Sequence, residues 1–171
     1  MLKPAQLYVD ELDTKFTKVW YQDKYKYYFS MPYWDTQPIA ENTCEYHQFV
    51  SMIDGWIVGY ISYSVDRAAN IAYDFNTINF GEVSLGFSKD LAQAIDDIFM
   101  KFNFDKLEFE VLIGNPAEEM YDKFIKICNG RIVGTYRKHV KISDGQLCDL
   151  KMYELFKNQY IKNRHKLMRS T

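Results

Sequence analysis

The chain has 171 residues, 47% of them hydrophobic and 26% charged, with a formal net charge of −2. That length suits one well-buried core over residues 1–171, and no shift in composition marks a second domain. The mixture excludes a disordered chain and a helical membrane span, since no apolar run is long enough to cross a bilayer, and the near-neutral charge leaves no global pull toward nucleic acid or acidic membranes.

The opening Met1-Leu2-Lys3-Pro4-Ala5-Gln6 carries a proline and soon meets acidic residues, where a secretory leader needs an unbroken apolar stretch; a cytoplasmic location is expected. Residues 7–28 follow a charge-rich helical pattern that ends near Ser30-Met31-Pro32, because proline biases the residue before it out of helical geometry. Aromatic residues crowd the segment from Trp20 to Trp34, and Tyr21, Tyr25 and Tyr28 recur at helical spacing. Such a stripe reads first as core packing and second as pocket lining, since tyrosine joins an apolar ring to a polar tip. Residues 32–41, with Pro38 inside, read as a loop.

Residues 45–52 and 56–65 read as strands joined at Asp54-Gly55, a hairpin signal because tight reverse turns need positive backbone angles. A third strand covers 71–80. In it Ile71, Tyr73 and Phe75 alternate on one face, and the apolar positions then move to the opposite parity at Ile78 and Phe80. A change of phase by one residue is what a β-bulge produces, which predicts one near Asn76-Thr77; the alternative is a strand buried on both faces.

Residues 88–102 form an amphipathic helix with Leu91, Ala94, Ile95, Ile98, Phe99 and Phe102 at three-four spacing and Ser88 as N-cap. A strand over 107–113 follows. The next helix is expected to begin at Asn115, with Pro116 at its first position and Glu118 placed for a capping-box-like contact. Its apolar face is Ala117, Tyr121, Phe124, Ile125 and Cys128, and Asn129-Gly130 closes it. Residues 131–142 and 146–154 make a final hairpin across Ser143-Asp144-Gly145, and 155–167 read as helix. A strand-helix-strand crossover inside an antiparallel meander predicts a mixed central sheet flanked by helices, an α/β (α+β) architecture.

Cys44, Cys128 and Cys148 are odd in number and widely spaced, which suits neither a disulfide framework nor a zinc site and fits a reducing compartment. Cys128 reads as packing under its helix, because nothing nearby marks an activating base. His47, His139 and His165 are too scattered for a metal cluster, so no metal is expected. The basic run Lys157, Lys162, Arg164, His165, Lys166 and Arg169 is explained as a solvated helix end that complements the helix dipole, without nucleic acid or membrane as partner.

The stretch Val83-Ser84-Leu85-Gly86-Phe87-Ser88-Lys89-Asp90-Leu91 opening a helix, the strand ending in Gly114-Asn115-Pro116 and the following helix with Tyr121 resemble the core of the GCN5-related N-acetyltransferases (GNAT) from about Glu45 onward. In that family a loop of Arg/Gln, two residues, Gly, one residue and Gly/Ala holds the acetyl-CoA pyrophosphate through backbone N–H groups. Here Val83 takes the Arg/Gln place, Gly86 the first Gly and Ser88 the second, so two signature places depart from the pattern. A helix N-terminus still leaves donors for a phosphate at Leu85, Gly86, Phe87, Ser88 and Lys89.

The resemblance implies that Asn115 contacts the pantetheine arm and that the Tyr121 phenol protonates or hydrogen-bonds the departing thiolate, although an N-cap and an apolar helix face explain the same two residues. It implies that a bulge at Asn76, Thr77 and Ile78 parts two strands and aims a backbone N–H at the thioester carbonyl. The ending from Gly130-Arg131-Ile132-Val133-Gly134 to Tyr153-Glu154-Leu155 resembles bacterial and phage-associated members. The implied activity is acetyl-CoA-dependent N-acetyl transfer by direct attack of a small-molecule or protein amine. Acetyl-CoA is the co-substrate, the oligomeric state is open with a homodimer among the options, and Asp74, Glu108 and Glu110 are all open as base. The alternative is a non-catalytic GNAT-like binding or assembly module; a nucleic-acid accessory protein using the basic tail is disfavoured by the overall charge.

Overall fold

The computed structural model of the chain describes residues 1–20, 22–28, 43–81 and 85–167. The expected loop at 32–41, the aromatics Tyr21, Phe29, Tyr33 and Trp34, and Val83 and Arg169 lie outside the described residues.

Among the described residues, seven strands form one sheet: β1 (Leu2–Pro4), β2 (Tyr46–Ile53), β3 (Trp56–Asp66), β4 (Ile71–Asn79), β5 (Lys106–Leu112), β6 (Arg131–Lys141) and β7 (Leu147–Phe156). Their order is β1-β2-β3-β4-β5-β7-β6, antiparallel except for the β4/β5 pair. Helix α1 (Val9–Trp20) buries Leu12, Phe16 and Val19 with Val50, Ile57, Tyr60 and Ile78, which places it on one face of β2–β4. Helices α2 (Leu85–Asp96), α3 (Glu118–Cys128) and α4 (Lys157–Leu167) share the larger core with Ile61, Tyr63, Leu107, Phe109 and Leu155 on the other face. The mixed sheet flanked by helices is as expected.

The β2–β3 turn is the predicted one: Asp54 and Gly55 have φ of 50° and 84° and join Ile53 to Trp56. Helix α3 ends with Asn129 left-handed at φ 59°, and its buried face is Tyr121, Ile125 and Cys128. Cys44, Cys128 and Cys148 are free thiols.

Four expectations are corrected. The first helix stops at Trp20 instead of about Tyr28, and a 3-10 turn at Asp23–Tyr25 redirects the chain. The physical reason is that Lys26 reaches Asp144, 3.2 Å away in the β6–β7 turn, while Tyr27 packs on the cluster of Leu112, Ile142 and Cys148, and a continued helix carries both away from these partners.

The bulge in β4 sits at Asp74, two residues before Asn76. Ser62 of β3 pairs with Asn76 and Ser64 with Tyr73, so two steps on β3 match three on β4, and Asp74 takes φ 50°. Ala72 and Phe75 consequently share the larger core, whereas Ile78 belongs to the core under α1.

Helix α2 starts at Leu85, so Ser88 lies within its first turn and is not the N-cap. Phe87 is buried over Gly59, where an added Cβ would meet its ring at 2.2 Å, and seating that ring draws the helix start upstream. The α-helical stretch ends at Asp96 and passes into a π-turn at Asp97–Lys101, in which the Phe102 N–H donates to the Asp97 carbonyl at 2.8 Å.

Helix α3 begins at Glu118 rather than Asn115. The Asn115 side-chain oxygen accepts from the Ala117 N–H at 2.9 Å, so Asn115 organises the turn before the helix, and Glu118 closes back on the Gly114 N–H at 2.9 Å. The short edge strand β1 has no alternating pattern to betray it; its Pro4 is tolerated because an edge strand has a side with no ladder to donate to.

Candidate active site: a cleft between two diverging strands

Strands β4 and β5 pair at only two positions, Ile71 with Lys106 and Ala72 with Leu107. Beyond them β4 continues on β3 and β5 on β7, so the bulge at Asp74 marks where the sheet splits. Backbone N–H and C=O groups on the two facing edges have no strand partner there. Unpaired ladder groups at an internal edge are a template for an extended, amide-bearing ligand.

The split forms a cleft of about 190 Å³. Asn76, Thr77 and Ile78 line one wall, and Asn115 and Tyr121 line the other, so five of the residues singled out from the sequence meet in one place. The Tyr121 ring is 6% exposed, centred 5.1 Å from Phe109, and its hydroxyl lies 2.8 Å from the Thr77 hydroxyl, a contact between residues 44 apart in sequence. Either hydroxyl can donate in this contact, and when Thr77 donates, the phenolic proton is left for a second acceptor. Burial, partly offset by the Thr77 hydrogen bond, pushes the Tyr121 hydroxyl up to about 12, so it stays protonated at neutral pH.

Of the three strand carboxylates, Glu110 lines the cleft. Glu110 is itself exposed, and partial burial of its carboxyl raises its pKa, with the nearby Asp74 charge adding to the effect and His139 opposing it. Glu108 is paired with Lys106, and Asp74 is exposed on the bulge, its own pKa raised by partial burial.

Leu85, Gly86, Phe87, Ser88 and Lys89 do not line the cleft. They form the first turn of α2, at the end of the sheet where β4 finishes beside the start of β3. A Cβ on Gly86 would meet Ile53 Cδ1 at 2.2 Å, so the glycine lets this turn lie against the β2–β3 hairpin.

Tyr27, Tyr28 and Tyr60 also line the cleft. The aromatic density around Tyr27 and Tyr28 was the signal available for the first two; Tyr60 had none beyond its strand position. Sequence reasoning also missed the anchor of α3. Lys151 on β7 pairs with Glu118 and, at 3.0 Å, with Asp122, and the Tyr153 hydroxyl donates to Asp122 at 2.7 Å. These contacts tie the helix carrying Tyr121 to the sheet across some thirty residues of sequence, a distance no local pattern reports.

Among the described residues no group of three or more His, Cys, Asp or Glu side chains is placed to hold a metal ion. No helix among them is long and apolar enough to cross a membrane.

No protein-family model and no curated protein sequence matches the chain. Solved structures do. A putative acetyltransferase is 15% identical with a TM-score of 0.72, over 97% of this chain and 87% of that one. The spermidine N-acetyltransferase from Vibrio cholerae, solved in complex with CoA and spermine, is 19% identical with a TM-score of 0.71, over 94% of this chain and 97% of that one. A probable acetyltransferase is 18% identical with a TM-score of 0.57, over 68% and 64%. The seven-stranded mixed sheet, its helices and these matches together establish that the chain has the GCN5-related N-acetyltransferase fold.

Proposed function

We propose that the chain is an acetyl-CoA-dependent N-acetyltransferase that moves the acetyl group directly to an amine. The observation that carries this reading is the split between β4 and β5 at the bulge, with the Tyr121 hydroxyl buried at its wall. When bound, acetyl-CoA supplies the activated acetyl group as a thioester.

The backbone of Asn76, Thr77 and Ile78, lacking a strand partner on the β5 side, pairs with the pantetheine amides and turns an N–H toward the thioester carbonyl. Asn115 uses its side-chain oxygen on Ala117, which leaves its amide nitrogen as a donor to the arm. The first turn of α2, Leu85 to Lys89, receives the pyrophosphate at the positive end of the helix, with Lys89 exposed beside it.

Glu110 takes one proton from the incoming ammonium, so that a neutral nitrogen attacks the carbonyl carbon. As the C–N bond forms and the C–S bond breaks, the nitrogen releases its second proton to sulfur or water, yielding the amide and the free thiol. A thiol is about three units more acidic than a phenol near 12, so Tyr121 stabilises the departing thiolate by donating a hydrogen bond and keeps its own proton.

The test is calorimetric titration of the folded protein with acetyl-CoA and CoA, followed by amine-dependent thiol release. Saturable binding and release support the reading. Absence of binding favours a non-catalytic module on the same fold, the alternative that Val83 and Ser88 at the signature places suggest.

A further inference from the structure

A strap lines part of the cleft. Residues 23–28 leave the end of α1 and are held on the β6–β7 turn by the Lys26–Asp144 pair at 3.2 Å. This hangs Tyr27 and Tyr28 over the cleft, with the Tyr27 hydroxyl so close to Gly114 that a Cβ there would lie 3.1 Å from it. Tyr60 and Tyr121 also line the cleft, which gives it four tyrosines and, among the described residues, a single carboxylate, Glu110.

We propose, resting on the acyl-transfer reading above, that this tyrosine-lined part of the cleft is the acceptor site and that it takes a compact primary monoamine, one ammonium on a short alkyl or arylalkyl body. Tyrosine faces attract a cation through the ring quadrupole and stack on a flat apolar body, and Glu110 pairs with the ammonium it is to deprotonate. Among the described residues a further positive charge finds no second carboxylate on the walls, although Asp74 lies near enough for its charge to act on Glu110. Among the described residues Glu110 is the only carboxylate on the walls; Lys151 holds Glu118 and Asp122, Lys106 holds Glu108, and Asp74 stands exposed on the bulge outside the walls. A polyamine therefore buries uncompensated ammonium groups against apolar side chains, which is costly.

The experiment measures amine binding to the full chain by saturation-transfer NMR without acetyl-CoA, using 2-phenylethylamine, its neutral isostere 2-phenylethanol, and spermidine. Turnover of the two amines with acetyl-CoA is followed in parallel. The expected result is 2-phenylethylamine bound about tenfold or more tightly than either competitor and acetylated in preference to spermidine. Tyr27→Leu, which keeps apolar bulk and removes the ring face, weakens the amine about tenfold and leaves the acetyl-CoA Kd unchanged. Glu110→Gln brings the amine and the alcohol to similar affinity, and Tyr27→Phe, whose fold is the least disturbed, keeps the amine preference.

Preference for spermidine, or an amine affinity that neither Tyr27→Leu nor Glu110→Gln alters in folded protein, overturns the proposal. Failure to bind acetyl-CoA while the amine selectivity persists sinks the acyl-transfer reading alone.

Discussion

Replacing Tyr121 with phenylalanine removes one oxygen and keeps the ring packed on Phe109. The lost contact is the 2.8 Å hydrogen bond to Thr77 in a partly buried setting, worth about 0.5–1.5 kcal/mol net. For a domain of this size that lowers Tm by roughly 1–6 °C, so the variant folds at assay temperature. A donor lost from a developing negative charge costs about 100- to 1,000-fold in kcat. In the proposed role Tyr121 donates to the leaving sulfur and does not grip the pantetheine arm, so the acetyl-CoA Kd should stay within about twofold. Thiol release measured across an amine titration, with calorimetry for Kd, reads both quantities. A variant with kcat within threefold of the wild type, at equal Kd, refutes the role of Tyr121, whatever the fold.

Three further outcomes follow from particular contacts. Glu110→Gln abolishes the acid limb of the kcat/KM profile, which in the wild type lies above the ordinary glutamate range because burial and then Asp74 hold the Glu110 pKa up; an unchanged limb assigns the base elsewhere. His47 is stacked 5.0 Å from Tyr63, and burial followed by the Arg67 charge lowers its pKa. The unfolded chain then binds more protons than the folded one, so the His47 contribution is full above pH about 6.5 and is lost as pH falls below it. Urea midpoints should drop over that window in the wild type and flatten in His47→Phe. In Gly59→Ala the new methyl meets the Phe87 ring and, at 2.8 Å, the Ile78 carbonyl oxygen, and backbone cannot yield as a side chain does. Overpacking of this kind costs about 1–3 kcal/mol, read as a Tm drop of several degrees by calorimetry; an unaltered Tm contradicts the packing described.

The candidate site was legible in parts. Thr77, Asn115 and Tyr121 were named from the order of elements and a family resemblance, and the structure brings them to one cleft. The bulge was legible as a change of parity yet misplaced by two residues, because Tyr73 and Phe75 look like one apolar face in the sequence while the extra residue between them puts them on opposite faces. Glu110 could not be separated from Glu108 and Asp74, since facing the cleft depends on which neighbour a strand loses, and β5 loses β4 only beyond Leu107. The helix start at Leu85 was obscured because Ser88 is a good cap by chemistry, whereas Phe87 settles the start by packing over Gly59.

What the sequence determined by itself is what local sterics and periodicity determine. Asp54-Gly55 must turn because adjacent positive φ angles suit few other pairs, Asn129-Gly130 must end a helix, and the spacing of Tyr121, Ile125 and Cys128 commits one face of α3 to the core. Tertiary structure decided where the sheet splits, that α1 stops at Trp20 so that Lys26 meets Asp144, that Lys151 anchors α3, and that Tyr27, Tyr60, Glu110 and Tyr121 share one cavity. These depend on strand register and on contacts between residues far apart in the chain, whose free energy exists only once both partners are in place, so no local window of sequence carries them.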